Sequence, residues 1–276
     1  MTKNPHELVD DMKEEMIDFA REILSVPAMA PESGGDGEEE KVKRIRESIS
    51  GWGFDSVKQY NAPDERVPSG ERPNLLVTVK GLDPKLPPIW VFVHTDVVPP
   101  GDRGKWSGDP WSLRIDGDKM TARGVEDNGQ DLVSALFAAK AVIDSGKKPR
   151  RDINIFLVAD EEVGSAKGMH YLVEEHGDLF SEEALYIVPD AGSEDGSMIE
   201  VAEKSILWLK IETIGKSSHA SDPHKGNNAN EAAMRMITDL LDDLRGEFSK
   251  EDLLFDPPYS TFVPTKREAN VPNVNS

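Results

Sequence analysis

The chain has 276 residues, more than one typical domain needs, so one large domain or two smaller ones are expected. Its 52 acids against 32 bases give a net charge of −20, without the basic footprint of a nucleic-acid binder and repelled by anionic membranes. The absence of cysteine excludes disulfides and thiolate zinc sites.

The polar start MTKNPHELVDDMKEEM lacks the apolar centre of a secretory signal, and no apolar run reaches bilayer-spanning length. A cytoplasmic protein is expected. The acids are spread over DGEEE (36–40), EEHGDLFSEE (174–183) and DLLDDLRGEFSKED (239–252), a solvated acidic surface of the kind that suits a salt-rich, halophilic cytosol.

Along the chain, Leu8, Met12, Met16, Phe19, Ala20 and Ile23 recur at helical steps, predicting a helix over 5–24. SVPAMAPESGGDGEEE (25–40) reads as a loop, and 40–52 as a second helix stopping near Gly51 and Gly53. NLLVTVKG (74–81) and IWVFVH (89–94) are strands, the latter apolar on both faces, as in the middle of a covered sheet. DLVSALFAAKAVIDSG (131–146) is a helix, INIFLVAD (153–160) a strand, SAKGMHYLVEEHG (165–177) a helix and LYIVPD (185–190) a strand. This alternation predicts an α/β fold with a mainly parallel sheet and helices on both sides.

After about residue 200 the pattern changes. SILWLKIETIG (205–215) reads as a strand. NNANEAAMRMITDLLDDLRGEF (227–248) reads as an amphipathic helix capped by Asn227 or Asn228, with Ala229, Ala233, Ile237, Leu240 and Leu244 on its apolar stripe. STFVPTKREANVPNVNS reads as strand, turn and the start of another strand. Two domains are expected, 1–203 and 204–276, the second incomplete.

The chemistry gathers at strand ends, where α/β folds build their ligand sites. VFVHTDVVPPGD brings His94 and Asp96, two apart and therefore on one face of an extended segment, so that Asp96 can orient the ring of His94. Asp127 lies in RGVEDNG just before a helix, where Asn128 and Asp131 compete as caps. Asp160, Glu161 and Glu162 follow INIFLVA and repel one another unless a cation neutralises them. Asp190 follows LYIVP. One imidazole among several carboxylates suits zinc or a similar divalent ion and points to a metal-dependent hydrolase.

The order and wording of these stretches, with LSVPAMAPESGGDGEEE, WSGDPWSLRIDGDKMTARGVEDN, GKSSHASDPHKGNNA and EANVPNVNS, resemble the M20 metallopeptidases over nearly the whole chain. That family includes acetylornithine deacetylase, succinyl-diaminopimelate desuccinylase, carboxypeptidase G-like enzymes and carnosinase-type dipeptidases. The resemblance implies an α/β metallohydrolase domain with an inserted α+β, ferredoxin-like lid. It implies hydrolysis of the amide bond of a small N-acyl amino acid or dipeptide by water activated between two Zn2+ ions, with Co2+ as a substitute, in a homodimer formed through the lid. His94 and Asp190 are then terminal ligands of one metal, Asp127 the bridge, and Glu162 a ligand of the second. Asp96 is the partner of His94, Glu161 the general base, and His219 in SSHAS the lid group that stabilises the oxyanion in a partner subunit's site.

Two departures stand out. Many members carry Lys-Gly where this chain has Gly129 and Gln130. Members also run longer, so the resemblance implies a C-terminally truncated lid and the loss of a late histidine ligand of the second metal. The alternative is a non-catalytic fragment that binds metal incompletely or acts through lid association. His170 and His176 read as exposed helix residues.

Overall fold

The computed structural model describes residues 4–193 and 195–268. The chain divides into two compact units, Met1–Gly192 and Ser193–Ser276.

The first unit is built on a five-stranded sheet of order β1-β4-β8-β5-β9. Its strands are β1 (Ser56–Gln59), β4 (Leu75–Val79), β5 (Ile89–His94), β8 (Ile153–Val158) and β9 (Leu185–Ile187). Two short hairpins, β2 (Ala62–Pro63) with β3 (Glu71–Arg72) and β6 (Arg114–Asp116) with β7 (Lys119–Thr121), lie outside it. β5 pairs in parallel with β8 and β9, whereas β4 is antiparallel to both its neighbours. Strands β1, β5, β8 and β9 therefore share one direction, and β4 alone opposes it. The register sets His94 opposite Val158, so β5 and β8 end level and deliver their following residues to one edge.

Helices cover both faces, and the alternation along each strand decides what meets which. On one face Leu75, Val77 and Val79 of β4, Val93 of β5 and Ile155 and Leu157 of β8 pack against α2 (Lys13–Leu24), α3 (Glu39–Ser48) and α4 (Asp131–Asp144) through Ile23, Ile45, Leu136 and Phe137. On the other, Leu76, Trp90, Phe92, Phe156 and Val158 pack against Leu172 of α5 (Met169–His176). Trp90 and Phe92 stack on Phe156 at 5.8 and 6.2 Å between ring centroids. His176 is half-buried against the rings of Tyr60 and Tyr171, at 4.9 and 5.6 Å, rather than exposed as the helix pattern suggested.

The helix expected over 5–24 is broken into α1 (Pro5–Asp11) and α2. At the break the Met12 N–H is shared between the carbonyls of Leu8 and Val9, at 3.2 and 3.0 Å, and the Met12 side chain is buried. α1 starts from a capping box, in which the Asn4 side chain accepts from the His6 N–H and Glu7 accepts from the Asn4 N–H. Most other observed elements end a few residues inside the predicted bounds, whereas α3 starts one residue earlier, at Glu39, and β5 matches its prediction, because strand and helix ends leave backbone groups to caps and turns.

In the second unit α6 (Ala229–Glu247) forms as predicted, and Asn228 is its cap, accepting from the Glu231 N–H at 3.1 Å. The strand predicted over 205–215 does not form. A strand needs a neighbour for its N–H and C=O groups, and the backbone pairing next to this segment is a single bridge between Lys216 and Asn227. Its side chains stand in solvent, with Trp208 81% and Ile214 95% exposed. Residues 260–268 are likewise irregular, and residues 269–276, where the start of another strand is expected, lie outside the described residues. No helix among the described residues is long and apolar enough to cross a membrane.

Burial separates the two apolar sets energetically. Phe156→Ala is expected to destabilise the first unit by about 3–5 kcal/mol in urea unfolding, from lost transfer energy and a cavity. Trp208→Ser, at an exposed position, should change stability by no more than about 0.5 kcal/mol in the same measurement.

Candidate metal centre

β5 and β8 converge on the site because both stop at its floor. His94 is the last residue of β5, and the Thr95 N–H and hydroxyl both bond the Val158 carbonyl, at 2.9 and 3.0 Å, extending the pairing one step past the strand. Asp96 follows, fully buried, and its two carboxylate oxygens accept the N–H groups of Glu161 and Glu162, each at 3.0 Å. The acid thus closes the end of β5 onto the turn after β8 and fixes where both glutamates project.

The ring of His94 is buried. Its Nδ1 lies 3.1 Å from the Asp96 carbonyl oxygen and 3.4 Å from the Asp96 carboxylate, so the backbone of Asp96 is the nearer orienting group. Nε2 faces the opening, 2.8 Å from Asp127 and 3.7 Å from Asp190. Asp127 is open to solvent, with a side-chain exposure of 61%. Glu162 accepts the Val98 N–H at 3.2 Å.

Six of the predicted residues therefore meet in the first unit, and the seventh, His219, belongs to the second unit. His94, Glu161 and Asp190 form one group, and His94, Asp127 and Glu162 another, whose ligand atoms in each case lie within 4.8 Å of one another. Asp96 underlies both. Among the described residues no second histidine joins either group. His219 is an exposed residue of the second unit, where Nδ1 is engaged by the hydroxyl and N–H of Ser221, at 2.8 and 3.2 Å.

Charge at the site is crowded. Burial above all, with the charges of Asp127 and Asp96, pushes the Glu162 carboxyl up to about 7 against the pull of His94. Burial and the charge of Asp190 push Asp131 up to about 6. Glu161 is raised chiefly by burial. Burial pulls the His94 imidazole down, but the hydrogen bond and charge of Asp96, with Asp190 and Glu161, outweigh it and lift the ring to about 9. Carboxylates that resist ionising together beside one imidazole are a set that a divalent cation relieves, and nitrogen with carboxylate oxygen suits zinc or cobalt. The residues fit such an ion.

Behind the site lies a buried ionic lattice that no spacing in the sequence announces. Arg72 and Glu38, both fully buried, form a two-bond pair, and Arg72 also reaches Asp160 at 3.0 Å and Asp64 at 3.5 Å. Asp160 has a left-handed backbone, φ 67°, and its N–H bonds Glu38 at 3.2 Å, while its carboxylate accepts the Lys167 N–H at 2.9 Å. The lattice pins the turn that carries Glu161 and Glu162. Gly168, at the start of α5, is required by close approach: a Cβ there would sit 2.0 Å from the Ala159 carbonyl oxygen. Lys41 of α3 is buried too and donates to the Thr95 carbonyl at 2.8 Å. Burial drags its ammonium down to about 8, against the upward pull of Asp96 and Glu38.

A profile of peptidase family M20/M25/M40 matches residues 90–246. An uncharacterized metallohydrolase of Methanococcus maripaludis is 35% identical over 95% of the chain, which spans 64% of that protein. Aminoacylase-1 of Dictyostelium discoideum is 28% identical over 71% of the chain, spanning 48% of that protein. A succinyl-diaminopimelate desuccinylase of Gluconacetobacter diazotrophicus is 25% identical over 80% of the chain, spanning 55% of that protein. The chain thus spans less than two thirds of the curated relatives it matches here. In fold it is similar to the di-peptidase Dug1p of Saccharomyces cerevisiae, with a TM-score of 0.57 and 24% identity over 70% of this chain and 42% of that one. It is similar also to human carnosine dipeptidase 1, with a TM-score of 0.58 and 21% identity over 68% and 41%.

Two outcomes test the lattice. Arg72→Met leaves Glu38 and Asp160 without their counter-charge and should cost about 3–5 kcal/mol in urea unfolding. Lys41 binds a proton less readily folded than unfolded, so between about pH 8 and its ordinary value of 10.5 the unfolded state holds more protons and stability from this group rises with pH. The stability of the wild type relative to Lys41→Met should therefore rise as the pH goes from 7 to 10, and a constant difference would contradict it.

Proposed function

We propose a function on a fixed premise: the chain belongs to peptidase family M20/M25/M40. The reading is a divalent-metal amidohydrolase that cleaves the amide bond of a small N-acyl amino acid or dipeptide. The observation that carries it is the pair of overlapping donor groups that share His94, Glu161 with Asp190 in one and Asp127 with Glu162 in the other. The names aminoacylase, desuccinylase and dipeptidase among the relatives and neighbours support a small amide substrate.

In this reading His94 and Asp190 would hold one ion and Glu162 the second, with Asp127 shared between them. Zn2+ is the proposed ion and Co2+ its substitute. When bound, the metal supplies Lewis acidity that brings a water's pKa near neutrality and polarises the scissile carbonyl. The remaining work belongs to the protein. His94 can offer Nε2 only as a neutral ring, so its proton must leave as the ion enters, and loading releases protons to solvent. Asp96 holds the ring and the glutamate turn in one frame. Glu161, whose carboxyl burial raises from its ordinary value, takes a proton from the attacking water and returns it to the leaving amine.

Residues 204–276 are proposed to be part of a lid through which the whole protein dimerises. His219, with Nδ1 held by Ser221, would then donate from Nε2 to the oxyanion that develops in a partner subunit's site. A proton-donating group is worth most there because the charge it meets exists only in the transition state.

The test is a panel of N-acetyl and N-succinyl amino acids and dipeptides, offered to the metal-free chain reloaded with Zn2+ or Co2+. Hydrolysis by the loaded wild type is expected, with Glu161→Ala reducing the rate by about 100-fold or more while metal content is retained. Undiminished rates in the loaded variant would remove Glu161 from its role. A loaded wild type that cleaves no member of the panel would overturn the enzyme reading for this chain.

A further inference from the structure

The side chain of Asn128 is accounted for by none of the roles above. Its neighbour Asp127 carries the donor atom, and the sequence makes Asn128 a candidate cap for α4. The structure denies it that job: the capping position is Gln130, without a side-chain cap bond. Yet Asn128 is 2% exposed, more deeply buried than the acids it touches.

All three bonds made by its amide run to the site's frame. Oδ1 accepts the N–H of His94 at 3.2 Å. Nδ2 donates to Asp190 and, at 3.2 Å, to Asp131. The amide's orientation follows from these partners. Turned over, it would set NH2 against an N–H donor and its oxygen against two carboxylates, losing every bond. A neutral group that donates twice into a cluster of acids also adds no charge to the cluster, which an aspartate of the same size would.

The partners come from three separate places: His94 ends β5, Asp190 follows β9 and Asp131 opens α4. Asp190 lies in a turn after a short, exposed edge strand, and its carboxylate meets the Asn128 amide and, at 3.7 Å, the His94 ring. At Gly129 next door a Cβ would lie 2.4 Å from the Gly124 carbonyl oxygen of this turn, and its N–H bonds that same oxygen at 2.9 Å. The turn that presents Asn128 is thus closed on itself.

We propose that Asn128 is a positioning residue for the metal centre, its amide tying the backbone of His94 to the carboxylate of Asp190 and setting that carboxylate for a divalent cation. The inference rests on the reading of His94 and Asp190 as metal holders. Asp131 backs the amide from behind and takes no part in binding.

Cobalt reports on this directly, because its visible bands follow ligand geometry and its affinity is read from the same titration without any turnover. The metal-free chain is titrated with Co2+ as wild type, Asn128→Leu, Asn128→Asp, Asp190→Ala and each Asn128 variant combined with Asp190→Ala. Asn128→Leu, close in size and lacking all three bonds, should weaken Co2+ binding by about 10–100-fold and shift the bands. In the Asp190→Ala background that loss should shrink by at least about threefold, since groups acting through one another do not add. A packing role alone would lower thermal stability and leave the same loss in both backgrounds, which overturns the proposal, as do unchanged affinity and bands. If Asn128→Leu does not fold, Asn128→Asp decides. It keeps the acceptor for His94 and loses both donors, so its bands should shift, and an unchanged spectrum overturns the proposal. A wild type that takes up no Co2+ overturns the metal reading itself, whereas wild-type binding with indifferent variants overturns this inference alone.

Discussion

Asp96 accepts two backbone N–H groups with one buried carboxylate, and the geometry of the site follows from that contact. β5 and β8 are adjacent and parallel, so their ends already lie level, but the chain beyond each end is free to diverge. The Asp96 carboxylate removes that freedom by bonding the first two residues of the turn after β8. His94, two residues before Asp96, is carried by the same segment and is oriented by its carbonyl. One ion-dipole contact thereby sets the imidazole and both glutamates in a single frame.

A buried carboxylate must be compensated, and the compensation extends away from the site. Arg72 and Lys41 are the buried arginine and lysine among the described residues, and both face this region. Arg72 joins Glu38, Asp64 and Asp160, and Lys41 holds the Thr95 carbonyl. Among the described residues the acids of the centre itself, at the open side, pair with no lysine or arginine. Burial above all, with the neighbouring acids, raises the proton affinities of Glu161 and Glu162, and a divalent cation is the partner that relieves them. The floor of the site is neutralised by the protein and its mouth is left for a metal.

Much of this was legible because it is local. An apolar run of five residues leading into His94, another ending before Asp160, and acids close after each are visible in the linear chain. The family resemblance then sorted the acids. What was not legible is long-range or negative. Glu38 and Arg72 are 34 positions apart, and Asp160 meets Glu38 across 122. Asn128 read as a helix cap because a cap is the local explanation for an asparagine before a helix. The strand expected over 205–215 failed for the same reason in reverse: its pattern is right, but a strand is a property of a pair.

By itself the sequence determined the alternation of strands and helices and the placement of His94, Asp96, Asp127, Glu161, Glu162 and Asp190 at element ends, because hydrophobic periodicity and turn chemistry act within a few residues. Only the tertiary structure decided that β4 runs against its neighbours, that Asp96 spends its carboxylate on the glutamate turn, and that Arg72, Lys41 and Asn128 stand behind the centre. Those choices depend on which distant groups share a buried volume, where an unpaired charge or amide is too costly to leave alone.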